Sequence, residues 1–309
     1  MSAGGGTKAI IAALAANLAI AVAKFVAFLI TTSSSMLAES IHSLADSGNQ
    51  VLLLVGGKRA ARDRTPEHPF GYGRERYFYA FVVAVVLFTI GALFSLYEGV
   101  HKIRDPHAVE TPIVAFGVLI FAIIAESFSF RTAIKESNHV RGDQSWVQFI
   151  RRSKSPELPV IVLEDLGALV GLILALAGVT MAVITGDGVW DGVGTVAIGV
   201  LLAIIAVILA IETKSLLIGE GAGPEAERRI REALEDTPEV TRLIHMRTLH
   251  LGPEEILVAA KIAVDHDDTA SEVARGIDEA EQRIRAAVPE ARVIYLEPDL
   301  DRSKVNGSV

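Results

Sequence analysis

The chain has 309 residues, is 51% hydrophobic with a mean hydropathy of +0.42, and carries only 21% charged residues, a balance too apolar for an ordinary soluble domain. Cysteine is absent, which excludes disulfides and thiolate metal sites. The net charge of -8 falls wholly within residues 219–309, which hold 20 acidic and 12 basic side chains; an acidic tail repels nucleic acid, and no basic tract for it appears elsewhere.

Six stretches are long enough to cross ~30 Å of hydrocarbon at about 1.5 Å per residue: approximately 9–31, 36–57, 77–100, 112–134, 158–185 and 192–218. The start, MSAGGGTK, shows no small-residue cleavage site, so the first stretch reads as a retained span. Residues 58–76 carry Lys58, Arg59, Arg62, Arg64, Arg74 and Arg76, and residues 135–156 carry Lys135, Arg141, Arg151, Arg152 and Lys154. These loops are expected on the cytoplasmic side, with both termini. The alternate connections hold only Lys102 and Arg104. Alanine-rich spans and the uncleaved start favour a bacterial inner membrane.

A six-helix membrane domain is expected over 1–218 and a tail domain over 219–309. After the glycine-rich hinge Gly219–Gly223, residues 224–236 read as a helix, 240–250 and 256–264 as strands around Gly252-Pro253, and 292–297 as a third strand. Thr269 and Glu272 form a capping-box pattern ahead of a helical stripe at Val273, Ile277, Ala280, Ile284 and Val288. The order α-β-β-α-β suits a small ferredoxin-like layer that pairs with a copy of itself.

Within the second stretch, Glu39, His42 and Asp46 fall on one helical face. An ionised group at the bilayer centre costs ~3 kcal/mol or more, so such a face needs a partner, a bound ion or a water-filled cavity. The fifth stretch supplies Glu164 and Asp165, adjacent carboxylates in an apolar run. A nitrogen with carboxylate oxygens suits tetrahedral zinc, whereas an all-oxygen shell suits magnesium, calcium or manganese. Against this stands simple interhelical hydrogen bonding by His42 and Asp46. Glu126 is a further candidate, or a partner for Lys24. Asn17, Asn49 and Gln50 read as interhelical hydrogen-bonders.

The pattern His42-x-x-x-Asp46, the fifth-span aspartate, the six-span layout and the α-β-β-α-β tail resemble the cation diffusion facilitators, dimeric antiporters that export zinc and related metals in exchange for protons. "SLADSGNQ" at 43–50, "HPFGYGRERYFYAF" at 68–81 and "LHLGPEEILVAAKI" at 249–262 resemble the branch containing mitochondrial-type zinc transporters. The resemblance implies His42, Asp46 and Asp165 as ligands to the transported Zn2+, protons and a second copy of the chain as partners, and no organic cofactor. Members usually carry a histidine or aspartate four residues before the fifth-span aspartate; here that residue is Ile161, which leaves Glu164, water or another carboxylate, such as Glu39 or Glu126, as the fourth ligand. Members often bind further metal in the tail; here His245 and Glu297 fall at plausible positions on strands, but Lys261 occupies the place where a family ligand histidine often lies, so a weak site or none is expected. His250 and His266 read as exposed.

Two other readings compete. Asp46 and Asp165 form the kind of pair that intramembrane proteolysis needs, but the glycine-containing aspartate motif of that class is missing from both helices, and the chain is read as no enzyme. The incomplete fifth-span set also fits a metal-sensing or scaffold protein that moves nothing.

Overall fold

The computed structural model describes residues 3–32, 34–107 and 111–300, without the side chains of 3–13, 15, 16, 34, 35, 38 and 39. The chain divides into two compact units, one formed by residues up to 59 with 76–214, the other by 60–75 with the chain from 215.

The first unit is all helix: α1 (Ala3–Thr31), α2 (Ser34–Ala60), α3 (Glu75–Val86), a π-helical turn (Leu87–Ala92), α4 (Leu93–Arg104), α5 (Pro112–Arg141), α6 (Trp146–Arg152), α7 (Glu157–Thr185) and α8 (Val189–Ile218). Four runs among the described residues are long and apolar enough to cross a membrane: Glu75–Arg104, Pro112–Arg141, Glu157–Thr185 and Val189–Ile218. α1 adds an apolar stretch, Asn17–Thr31. α2 is interrupted by His42, Asp46, Asn49 and Gln50, all buried, and does not meet that measure. Large apolar side chains such as Leu29, Phe121, Phe128 and Ile184 point outward, as they do where the solvent is hydrocarbon.

Small residues set how closely the helices approach. A Cβ on Gly99 of α4 would lie 2.7 Å from the Val196 backbone nitrogen and 2.9 Å from the Gly192 carbonyl oxygen on α8. A Cβ on Gly178 of α7 would meet the Trp190 carbonyl oxygen at 3.0 Å and the Gly194 Cα at 3.3 Å. Such contact between backbones maximises dispersion where no hydrophobic effect separates helix from lipid.

Two expectations change. α5 runs on to Arg141, beyond the expected end at 134, because helix-forming residues such as Ala133 and Lys135 continue the periodic pattern past the apolar segment. α6 forms inside the stretch read as loop. Its Ser145 hydroxyl accepts from the Gln148 amide at 3.2 Å, and the Gln148 side chain accepts from the Ser145 amide at 3.1 Å, a capping box that "SWVQ" spells out.

The second unit bears out the α-β-β-α-β order: α9 (Pro224–Glu235), β1 (Arg242–Gly252), β2 (Glu255–Val264), α10 (Ala270–Ala287) and β3 (Ala291–Leu300). β2 is central, antiparallel to β1 and parallel to β3. Ile230 and Leu234 of α9, Ala280 and Ile284 of α10 and Val258 and Ile262 of β2 bury together as its core. The Thr269–Glu272 capping box opens α10 as expected. Residues 60–75 belong to this unit: Arg64 pairs with Glu255, and a Cβ on Gly73 would lie 2.6 Å from the Leu251 carbonyl oxygen.

Candidate metal centre

α2 carries the centre because its polar residues repeat on one face. His42 and Asp46 lie one turn apart, with His42 Nε2 3.5 Å from Asp46 Oδ2. His42 is wholly buried, and among the described residues neither of its ring nitrogens has a hydrogen-bond partner. Asp46 Oδ1 is equally unpartnered. Buried polar atoms are paired in most folded proteins, so these three, like Asn49 Oδ1 and Gln50 Oε1 on the same helix, are exceptions that need a reason.

The imidazole faces the π-helical turn. A Cβ on Gly91 would stand 3.8 Å from His42 Nδ1, ordinary contact, and 3.2 Å from Leu202 Cδ1, so this turn lies directly against the ring. π turns inside α-helices concentrate at functional sites.

α7 supplies Glu164 and Asp165, both buried. Glu164 Oε1 accepts from Asn49 Nδ2 at 2.6 Å, which ties α7 to α2 and gives Asn49 the interhelical role expected of it. In this state Glu164 therefore serves the helix–helix contact. Asp165 Oδ2 accepts from the Ser129 hydroxyl of α5 at 3.0 Å. Asp46 lies within electrostatic range of Glu164, Glu126, Lys24 and Asp165, and Asp165 within range of Glu126. The two α7 carboxylates and the α2 pair thus share one polar interior, in which Glu126 takes part.

Among the described residues, no three of His, Asp and Glu stand close enough together to hold a metal ion. His42 and Asp46 form a pair, while Glu164 and Asp165 each answer to a separate neutral donor. The side chain of Glu39 lies outside the described residues. Ile161 packs against the apolar core and offers no ligand atom. Lys24 of α1 is fully buried and donates to the Ser43 hydroxyl at 2.7 Å; the sequence reading gave it only as a partner for Glu126. A lone lysine in an apolar span was the signal that more could have been read from.

The tail bears differently on metal. Strand register sets His245, Lys261 and Glu297 side by side across β1, β2 and β3. Lys261 Nζ lies 2.9 Å from Asp299 Oδ2 and 3.1 Å from Glu297 Oε1. Those two acceptors, Asp299 first, hold its pKa above the ordinary lysine value. An ammonium therefore occupies the ground between the acidic side chains. His266 is exposed as expected, but His250 is buried, with Nδ1 3.3 Å from the Gly252 carbonyl oxygen. The alternation of β1 ends at that point, and residues 60–75 pack on the end of the strand.

These features define a multi-pass α-helical membrane protein with a buried imidazole–carboxylate interior and an α+β tail. The chain belongs to the cation efflux family: residues 10–218 match the description "Cation efflux transmembrane domain" and residues 222–299 match "Cation efflux protein, cytoplasmic domain". It is 30% identical over 264 residues to the "Proton-coupled zinc antiporter SLC30A9, mitochondrial" of Xenopus laevis, covering 84% of this chain and 47% of that protein. For the Homo sapiens protein of the same name the identity is 31% over 78% of this chain and 43% of that one. The chain thus spans less than half the length of these relatives. The "Cation-efflux pump FieF" of Pectobacterium atrosepticum is 26% identical, over 93% of this chain and 91% of the pump. The resemblance to the cation diffusion facilitators is borne out, and these relatives bear names of transport proteins, not of enzymes.

Proposed function

We propose that the chain exports a divalent metal, zinc as its substrate, in exchange for protons, as a homodimer with its tail and both termini in the cytoplasm. α1, α2, the α3–α4 run, α5, α7 and α8 are then six spans, oriented by the basic loops at 58–76 and 135–156. The observation that carries the reading is His42, an imidazole buried among apolar helices with both nitrogens unpartnered among the described residues, beside Asp46. The two zinc antiporters among the relatives support the metal and the coupling ion.

His42, Asp46 and Asp165 are the proposed ligands, and Glu164 becomes the fourth by turning from Asn49. A nitrogen donor with carboxylates favours zinc over hard cations. Among the described residues, Asp46, Glu164 and Asp165 bring three buried carboxyl groups into one interior, where unbalanced negative charge is costly and protons or a metal ion offset it. Each ligand atom holds a proton or a share of the metal, not both, and binding therefore releases protons. Drawing α7 toward α2 assembles the ligands; parting them on the far side lets protons displace the metal.

The test is zinc entry into liposomes holding the purified full chain. Entry that speeds up when the lumen is acidic, and slows when the gradient is reversed, supports exchange. Entry indifferent to the gradient contradicts coupling, and zinc binding without entry leaves the sensor or scaffold reading.

A further inference from the structure

Gln50 repeats the spacing of the metal site once more: His42, Asp46 and Gln50 stand four residues apart along α2, so they follow one another up a single face. Helical side chains lean toward the N-terminus of their helix. The carboxamide of Gln50 therefore leans toward Asp46, as Asp46 leans toward His42. Gln50 is only 7% exposed, and its Oε1 is buried without a hydrogen-bond partner among the described residues. The interhelical bond expected of Gln50 does not form at this oxygen, whereas the neighbouring Asn49 is held by Glu164 at 2.6 Å. Seven residues farther along the same face, a Cβ on Gly57 would have no atom of the described residues within 4 Å. The face is thus closed at Gln50 and open near the Lys58–Arg59 end of α2.

We propose that Gln50 is a further contact for the transported divalent metal: its amide oxygen takes the ion in place of a water, on the Lys58–Arg59 side of Asp46, and passes it to His42 and Asp46. The inference rests on the proposed function and adds to it a step of entry from, and return to, the cytoplasmic side. Leaving a buried acceptor unmet is costly, and a passing cation meets it. An ion that must enter and leave needs contacts favourable enough to replace its water yet too weak to trap it. A neutral amide oxygen has that character. A carboxylate in the same place would add a fixed charge to the site, and an aliphatic side chain would offer the ion nothing.

The test is the rate of zinc binding and of zinc release by the purified full chain in detergent, read by stopped flow against a fluorescent chelator at fixed pH and salt, beside the equilibrium affinity. Gln50→Leu nearly keeps the size of the side chain and removes both polar atoms. A contact used in passage lowers the barrier without changing the bound state. Binding and release are therefore expected to slow together in Gln50→Leu, by about fivefold or more for one lost polar contact, with affinity within about twofold of the wild type. Gln50→Asn, which keeps the amide but draws it back by one methylene, is expected to slow both rates by a smaller factor. A side chain that only packs α2 against its neighbours would instead alter affinity or elution and leave the two rates uncoupled. Gln50→Leu that elutes like the wild type and keeps both wild-type rates, or that releases zinc faster at an unchanged binding rate, overturns the inference. Should Gln50→Leu not elute like the wild type, Gln50→Asn decides alone: a matched slowing supports the inference, and unchanged rates overturn it. A wild-type chain that does not bind zinc removes the proposed function itself, and the role of Gln50 with it.

Discussion

His42 Nε2 sits 3.5 Å from Asp46 Oδ2 on consecutive turns of α2, too far and too poorly aligned to count as a hydrogen bond. The pair is held by helix geometry, not by bonding between its members. Among the described residues both ring nitrogens of His42 and Oδ1 of Asp46 lack a hydrogen-bond partner, which is why the pair is proposed as part of the metal site. Removing either should therefore cost metal affinity without unfolding the helix. His42→Ala and Asp46→Asn are each expected to weaken zinc binding by at least ~100-fold, the order that losing one ligand of a four-ligand site implies, at unchanged helical content. Circular dichroism and chelator competition read the two quantities. Affinity within a factor of three of the wild type would take the pair out of the site.

Glu164 is held by Asn49 at 2.6 Å, and its proposed ligand role requires it to leave that contact. Glu164→Gln keeps shape and the Asn49 contact but removes the charge. A drop of about tenfold or more in zinc affinity is expected, and an unchanged affinity assigns the fourth position to water. Asn49→Ala strands a buried carboxylate oxygen and is expected to cost about 1–3 kcal/mol of stability, visible as a lower melting temperature in detergent.

Where helices touch through backbone, a side chain has no room. Gly99→Leu would drive carbon into the Val196 nitrogen and the Gly192 oxygen, and a helix backbone cannot yield as a flexible side chain can. The expected loss is about 1–3 kcal/mol or more, again read by thermal melting. Tolerance of leucine would mean that α4 and α8 stand farther apart than here.

Much of this fold was legible because its pattern is local. Four apolar runs, the alternating residues of β2 and the Thr269–Glu272 box announced their elements from neighbours in sequence. So did "SWVQ", but its short helix was overlooked between long apolar segments. Of the centre, α2's polar face was legible for the same reason: His42 and Asp46 are four residues apart. What periodicity does not report is which polar groups meet across helices. Ser129 finds Asp165, Lys24 finds Ser43, and Gly91 lies beside His42 through packing among α1, α2, α5, α7 and the π-helical turn. His250 was misread for a similar cause: its burial comes from chain distant in sequence, its amide donating to the Glu220 carbonyl oxygen at 2.8 Å while Gly73 packs on the neighbouring Leu251 and Gly252.

The tail offers a stability test free of the membrane helices' energetics. Glu272 has its pKa held below the ordinary value by the Thr269 amide and hydroxyl. A depressed carboxyl contributes stability above its unfolded-state pKa and loses it as pH falls through the lower folded-state value. Thr269→Ala is expected to cost about 1 kcal/mol as a lost helix cap, and the difference from wild type should shrink on acidification below the usual carboxylate range. Hydrogen exchange in the first turn of α10 measures both effects; a difference that grew on acidification would contradict the assignment.

Gly73 meets β1 through the Leu251 carbonyl oxygen and the Gly252 Cα, and Arg64 pairs with Glu255 beside it. Gly73→Val is expected to lift residues 60–75 from the end of the strand, speeding their amide exchange by about tenfold or more, an opening cost of ~1.4 kcal/mol, while α10 exchanges as before. Unchanged exchange over 60–75 would mean that this contact carries none of the loop's order.

Whether metal and proton contend for the same buried atoms is tested most directly by counting protons as zinc binds. Calorimetric titration of the full chain in buffers of different ionisation enthalpy gives that number. At least one proton released per zinc is expected near neutral pH, with fewer in Asp46→Asn than in the wild type. Zinc that binds tightly at this site with no proton release would contradict exchange at His42 and Asp46.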